Sequence, residues 1–246
     1  MRMSWANYQD KVKRYFPFSD TEWKHFGLLV LVFAFLFSFD QWGTTTFNLK
    51  AGLLHFLIAI IIVGVSVFVH HAAQRLYGVW FGYRIEHRVW WVGLLAGLFG
   101  AVLSNGGVTI FAASAMQAHF LPSHRLGAFR FGPSLWQLGL VAFAGPLACV
   151  IVGFLAYGIA PSIFADFLKF NLYFAAYCMI PFPPLDGVHV FAASRISSFI
   201  FTFLAAAVAG FVVVYFIAAI ALLWSLLLAI FIGLAVWLAL DVILKK

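Results

Sequence analysis

The chain has 246 residues, of which 65% are hydrophobic and only 9% are charged, and its mean hydropathy is strongly positive. One soluble core of this length cannot bury so much apolar surface, so the composition excludes an ordinary soluble domain and indicates a polytopic membrane protein. The formal net charge of +7 fits anionic headgroups and topology signals better than nucleic acid. We therefore expect membrane lipids as partners and no nucleic acid.

Residues 1–24 predict an amphipathic segment that lies at the membrane interface. Apolar and aromatic residues recur there at helical spacing between charged ones, at Trp5, Tyr8, Val12, Tyr15 and Phe16. Ser19 and Glu22 then have the spacing of a helix-capping box. The remaining residues, 25–246, are predicted to form one transmembrane domain. Because the first residues are rich in Lys and Arg, the N-terminus is expected in the cytoplasm.

Seven apolar stretches are candidates for crossing the roughly 30 Å of hydrocarbon in a bilayer. They are Phe26–Trp42, Leu49–Arg75, Trp90–Leu103, Leu135–Ala160, Ile163–Ile180, Ile196–Ile217 and Ala219–Leu240. The third is short, and the SNGGVTIFAASAM that follows it is rich in glycine and β-formers, which predicts a re-entrant or edge β element lining a cavity. The predicted fold is an all-α polytopic membrane protein with six or seven transmembrane helices and this small β element.

Two polar clusters interrupt the apolar pattern. The first ends the second stretch and contains His70, His71, Gln74 and Arg75; His70 and Gln74 are four apart and share a helical face. The second is PFPPLDG, where prolines break the fifth stretch just before Asp186. An ionisable residue at a broken helix inside a membrane indicates a functional site, and its expected partner is the histidine cluster.

These residues resemble the site-2 protease family of intramembrane zinc metalloproteases, in particular its archaeal type. The resemblance rests on Leu185-Asp186-Gly187 with its upstream prolines, on AGPLAC ending at Cys149, and on the pentad that begins at His70. It covers most of residues 64–195. It implies a zinc ion held by two histidines of an HExxH helix and by the aspartate of the LDG turn, with the glutamate as general base.

The pentad can be aligned in two ways. With His70 as the first family histidine, Gly82 lies at the usual distance downstream and GYRIEHRVW matches the corresponding run of archaeal members. With His70 as the second histidine, Ser66 and Val67 take the first two positions and Gly78 becomes the landmark, but the downstream match is lost. We prefer the first alignment.

In this alignment the resemblance assigns inherited metal, base and pocket positions. The metal positions are His70, Gln74 and Asp186, the base position is His71, and the pocket contains His71, Cys149, Cys178, Gly187 and His189. Glutamine is a poor zinc ligand, and imidazole lacks the charge of the missing carboxylate. The two cysteines replace asparagines that could hold an extended substrate through hydrogen bonds. These departures predict that the chain has no catalytic residue and binds no cofactor. The alternative is that it binds zinc.

We therefore expect a proteolytically inactive member that binds a transmembrane segment or a partner membrane protein, within a membrane complex. An unpaired strand edge at Asn105, Gly106 and Gly107 is the predicted partner-binding edge. Two alternatives remain open. One is an active zinc metalloprotease with an atypical ligand set such as His70, His71, Asp186 and His189, and the other is a transporter or channel subunit. The expected location is the plasma membrane of a prokaryote, with an archaeon implied.

Overall fold

The computed structural model describes residues 4–43, 47–107, 109–121, 133–193, 206–207, 210–211 and 222–244. Most of these residues are helical, and the described part of the chain contains one two-stranded sheet. The chain divides into two compact units, residues 1–134 and residues 135–246. The predicted division at residue 24 stays a prediction.

The described residues of the first unit form four α-helices, a short 3-10 helix and both strands. They are α1 (Trp5–Tyr15), α2 (Asp20–Phe37), the 3-10 helix Phe39–Trp42, α3 (Leu49–Phe81), β1 (Tyr83–Val89), α4 (Trp91–Leu103) and β2 (Ser114–Phe120). The capping box at the start of α2 is present as predicted, because the Ser19 hydroxyl accepts the Glu22 N–H and the Glu22 carboxylate accepts the Ser19 N–H. α3 continues past its predicted end at Arg75 until Gly82, whose φ of 86° ends the helix in the left-handed region.

The sheet is antiparallel, with Tyr83 opposite Phe120 and Val89 opposite Ser114. Alternate residues of β1 are buried, so one face of the strand points into the unit. The predicted small β element is therefore present, but its strand begins at Ser114 rather than in the preceding glycine-rich run. The segment before the strand passes close to α4, where a β-carbon at Gly97 would lie 2.6 Å from the Ile110 carbonyl oxygen.

The core of the first unit lies where α2 packs against α3 and α4. Leu29 and Phe33 of α2 and Val63 and Val67 of α3 are almost completely buried. Phe33 meets Phe111 edge to face, with ring centroids 5.5 Å apart. This core fixes the middle of α3 and therefore the helix that carries His70 and Gln74.

The second unit contains α5 (Leu135–Ile159), α6 (Pro161–Cys178), α7 (Asp186–Ala193) and α8 (Leu222–Leu244) among its described residues. α5 packs against both α6 and α7. The approach to α6 is close, since a β-carbon at Gly153 would lie 3.2 Å from the Asn171 β-carbon. The predicted stretch Ile196–Ile217 lies outside the described residues except for 206–207 and 210–211, which are helical.

Within the part of the chain that the structure describes, two helices, α3 and α5, are long and apolar enough to cross a membrane. α3 also exposes many large apolar side chains, which are Leu53, Leu54, Leu57, Ile58, Ile61, Val65 and Phe68. A helix this apolar inside a soluble protein would be mostly buried, so its exposed surface indicates contact with lipid. The predicted total of six or seven spans stays a prediction.

Candidate functional site

The polar residues at the C-terminal half of α3 are all buried. His70 and Gln74 have no exposed surface, and His71 and Arg75 are at most 2% exposed. Buried polar groups carry a large free-energy cost unless they form hydrogen bonds, so the contacts of these side chains decide what the site can do.

His71, at the family's base position, is bound to β2 and stacked on β1. Its Nε2 lies 3.1 Å from the Ser114 hydroxyl. Its ring stacks on His87 with centroids 3.7 Å apart and an angle of 16° between the planes. Two imidazoles bound to one tetrahedral zinc ion would have centroids about 5 Å apart. His71 and His87 therefore form a stacked pair rather than a chelating pair.

Gln74, at an inherited metal position, is hydrogen-bonded to the same strand. The distance from its Oε1 to the His87 Nε2 is 2.7 Å. Burial, and after it the neighbouring His71, His70 and Arg75 side chains, lowers the pKa of His87 well below its usual value. His87 is therefore neutral, and its ring proton lies on Nε2, from which it donates to the Gln74 amide oxygen.

Arg75 connects α3 to the start of the chain. Its guanidinium forms a buried ion pair with Glu22 and donates to the carbonyl oxygens of Phe16, at 2.6 Å, and Pro17, at 2.9 Å. It also lies over the Phe18 ring, 4.0 Å from the centroid. The charge of Arg75 is thus neutralised inside the protein.

Glu22 holds both α3 and β1. Besides Arg75, its carboxylate accepts the His87 backbone N–H at 3.0 Å. Burial alone raises the pKa of Glu22, but the hydrogen bonds from Arg75, Ser19 and His87 and the Arg75 charge outweigh it, so the pKa lies below its usual value. Glu22 is therefore ionised, and it fixes the strand from which His87 projects.

The second unit holds the other predicted site residues. Asp186 is the first residue of α7, and Cys178 is the last residue of α6. Both residues are buried, and an Asp186 carboxylate oxygen lies within 4.8 Å of the Cys178 sulfur. Cys149 on α5 is buried, and His189 on α7 is half-buried. Among these pocket residues the structure therefore pairs Cys178 with Asp186.

Gly187 has a structural reason to be glycine. A β-carbon at this position would collide with the Met179 carbonyl oxygen and lie 2.5 Å from the Ile180 carbonyl oxygen. These carbonyl groups belong to the two residues that follow α6, so only glycine lets α7 begin directly against them.

The predicted partner-binding edge has a different conformation from the one expected. Asn105, Gly106 and Gly107 form the turn that ends α4, with the Gly106 N–H bonded to the Ala101 carbonyl oxygen at 2.8 Å. Asn105 and Gly106 have φ values of 52° and 85°, in the left-handed region that ends helices. The prediction of an extended edge at these residues is wrong, because the local sequence favours a helix cap.

His87, Ser114 and Glu22 are the residues of this network that the sequence analysis did not assign to the site. The alternation of YRIEHRV is a signal that could have found His87, because in a strand it shares a face with Ile85 and Val89. Ser114 lies 43 residues from His71, and no local pattern links the two.

The side chains of the first unit do not match the zinc set that the resemblance implies. The Gln74 amide oxygen, a weak zinc donor, is already bonded to His87, and no carboxylate stands at the base position. In the second unit the Cys178 thiol and the Asp186 carboxylate are both zinc-binding types. A metal could be bound with these two donors, but the general base of the family is missing at His71.

The chain is similar to a protein of Methanocaldococcus jannaschii whose description is "Putative zinc metalloprotease MJ0611". The two are 28% identical over 195 aligned residues, which cover 71% of this chain and 85% of the relative. The chain is thus metalloprotease-like. No protein-family model matches it, and no solved structure matches it.

Proposed function

We propose that this protein is a proteolytically inactive relative of intramembrane site-2 metalloproteases. The proposal rests on the contacts of the two altered motif positions: His71 is bonded to Ser114 and stacked on His87, and Gln74 is bonded to His87. Proteolysis by a zinc enzyme needs a carboxylate or similar base and an open coordination position for water. In this chain the corresponding side chains instead bind residues of the two strands, His87 of β1 and Ser114 of β2.

The role that remains for such a fold is to bind a transmembrane segment or a partner membrane protein without cutting it. Support comes from the broken helix of the second unit, where residues between Cys178 and Asp186 leave the helical conformation and Pro181, Phe182 and Pro183 are exposed. Irregular backbone at membrane depth needs a protein or water-filled surround. We place the protein in the plasma membrane of a prokaryote with its N-terminus in the cytoplasm.

A second candidate is a metal-binding membrane protein. The Cys178 and Asp186 pair favours it, since thiolate and carboxylate are both common zinc ligands and these two lie within 4.8 Å. By the resemblance His70 would add an imidazole. Such a protein could bind zinc while lacking the base that proteolysis requires.

Zinc content measured by mass spectrometry on the detergent-purified chain separates these candidates. The native chain is expected to contain no stoichiometric metal. The variant His71→Glu/Gln74→His, which restores the family motif, is expected to bind about one zinc ion per chain, and a further Asp186→Ala substitution should remove it. Size-exclusion profiles of all three proteins control for folding.

Other results would contradict the leading proposal. Stoichiometric zinc in the native chain that is lost on Cys178→Ala would establish the second candidate instead. Cleavage of a membrane-spanning peptide by the native chain, stopped by a chelator, would overturn the inactive assignment altogether.

A further inference from the structure

One end of the first unit carries exposed tryptophans from three helices. Trp5 of α1 is 67% exposed, Trp23 near the start of α2 is 50% exposed, and Trp80 near the end of α3 is 48% exposed. We call these three indoles, together with Lys13, Arg14 and Lys24, the N-terminal collar. Indole rings are enriched at the level of the headgroups because one edge is polar and the ring is apolar.

The collar is a fixed surface because α1 is attached to α3. The Tyr8 hydroxyl donates to the Leu76 carbonyl oxygen at 3.1 Å, and the Tyr8 ring meets Trp80 edge to face at 5.4 Å. Trp5 lies 5.6 Å from Tyr8 on the other side. The helix that carries Lys13 and Arg14 is thus held beside the end of α3.

The linker between α1 and α2 is also held in place by side-chain contacts. Arg75 donates to the carbonyl oxygens of Phe16 and Pro17, and Trp23 packs on Phe18 with ring centroids 5.0 Å apart. These contacts hold Trp23 and its neighbour Lys24 beside the C-terminal half of α3. All three indoles are therefore connected through packed side chains of one unit.

The charges around the indoles are mostly positive. Segment 5–24 contains the cations Lys11, Lys13, Arg14 and Lys24 against two exposed carboxylates, Asp10 and Asp20. Glu22 is excluded from this balance because it is buried against Arg75. Asp10 lies 3.1 Å from Arg14 and reduces the effect of its charge. Lys13 and Lys24 are the exposed lysines of the collar.

We propose that the N-terminal collar binds anionic phospholipid headgroups. A zwitterionic headgroup carries a positive group that the cations beside the indoles repel, whereas a headgroup with a net negative charge is attracted to them. The proposal goes beyond the proposed function, since it involves neither the metal positions nor a protein partner. Its occupant is lipid, and the collar sets the level at which the end of α3 meets the headgroups.

The test is native mass spectrometry of the detergent-purified full chain, titrated with phosphatidylglycerol or with phosphatidylcholine of the same acyl chains. The native chain is expected to bind phosphatidylglycerol more tightly. Lys13→Glu should weaken that binding about fivefold or more while phosphatidylcholine binding changes little. Lys50→Glu is the matched control, because Lys50 is exposed at the opposite end of α3 and the substitution makes the same change of charge.

Equal affinity of the native chain for the two lipids would overturn the proposal. So would equal losses in Lys13→Glu and Lys50→Glu, which would indicate general attraction to net charge. Lys24→Glu provides a second variant in another helix, and it is expected to behave like Lys13→Glu. Zinc content is measured separately, so failure of this proposal and failure of the proposed function are distinguishable.

Discussion

Glu22 and Arg75 are two charged residues buried inside an apolar protein, where each neutralises the charge of the other. Each is at most 4% exposed. The Arg75 guanidinium binds both the Glu22 carboxylate and the carbonyl oxygens of the α1–α2 linker. A buried ion pair adds little net stability compared with an apolar pair, but removing one partner leaves an uncompensated charge. Their contribution is therefore to fix which segments meet, namely the linker, α3 and β1.

Glu22→Gln is expected to lower the free energy of unfolding by about 3 kcal/mol at neutral pH. Because the pKa of Glu22 is lowered in the folded state, its contribution is present above the ordinary glutamate pKa and is lost as pH falls through the folded value. The native chain should thus lose stability on acidification below about pH 4.5, and the variant should lose less. Unfolding by SDS titration at several pH values measures both effects.

Asp10→Asn provides the control for this prediction. The Asp10 and Arg14 side chains are 55% and 68% exposed, so their ion pair is screened by water. The substitution should change stability by less than about 0.5 kcal/mol. A loss as large as that of Glu22→Gln would contradict the assignment of the effect to burial.

At the scale of elements, the junction between α6 and α7 depends on Gly187. The substitution Gly187→Ala places a β-carbon against two backbone carbonyl groups, which cannot move as a flexible side chain can. We expect it to cost about 1–3 kcal/mol, seen as a lower midpoint of thermal unfolding in detergent.

Gly158→Ala is the matched substitution on α5. Among the described residues, no neighbouring atom lies within 4 Å of a β-carbon at Gly158. Alanine should therefore be neutral or stabilise the helix by up to about 1 kcal/mol. Equal losses at both positions would show that the contacts of Gly187 with the end of α6 do not matter.

Elements were predictable from the sequence where their signals are local. The capping box, the amphipathic helix α1 and the apolar helices all depend on spacings within a few residues. The sequence analysis does not predict β1, because these seven residues between two helices contain no separate apolar run. The alternation of buried and more exposed residues along the strand is nevertheless present. The strand β2 was expected too early because Gly106 and Gly107 suggest extended backbone and in fact end α4.

The candidate site was predictable only in part for the same reason. The motif resemblance predicts His70, His71, Gln74 and Asp186 as candidate positions, but it does not predict the side chains that contact them. Gln74 bonds to a residue 13 positions away and His71 to one 43 positions away. Such pairs depend on the register of the sheet and its packing on α3, which one sequence does not reveal.

At the scale of the molecule, the exposed apolar surface of α3 predicts that lipid surrounds it. Ile61 is 67% exposed near the middle of this helix. Ile61→Lys should disfavour membrane insertion of α3 by about 3–4 kcal/mol. The fraction of protein that resists alkaline carbonate extraction should therefore fall, while Ile61→Leu should leave it unchanged. An unchanged fraction for both variants would contradict contact of this face with lipid.

The attachment of α1 to the end of α3 also sets a depth scale along that helix. With Trp80 at the headgroups, the rise of 1.5 Å per residue places Arg75 about 7 Å inward and His70 about 15 Å inward, which is half of a 30 Å hydrocarbon core. The guanidinium protons of Arg75 therefore lie a short way from bulk water. The His71 ring, about 13 Å inward on the same scale, lies near the middle of the core, so its ring proton reaches water only through a local opening and exchanges with solvent more slowly.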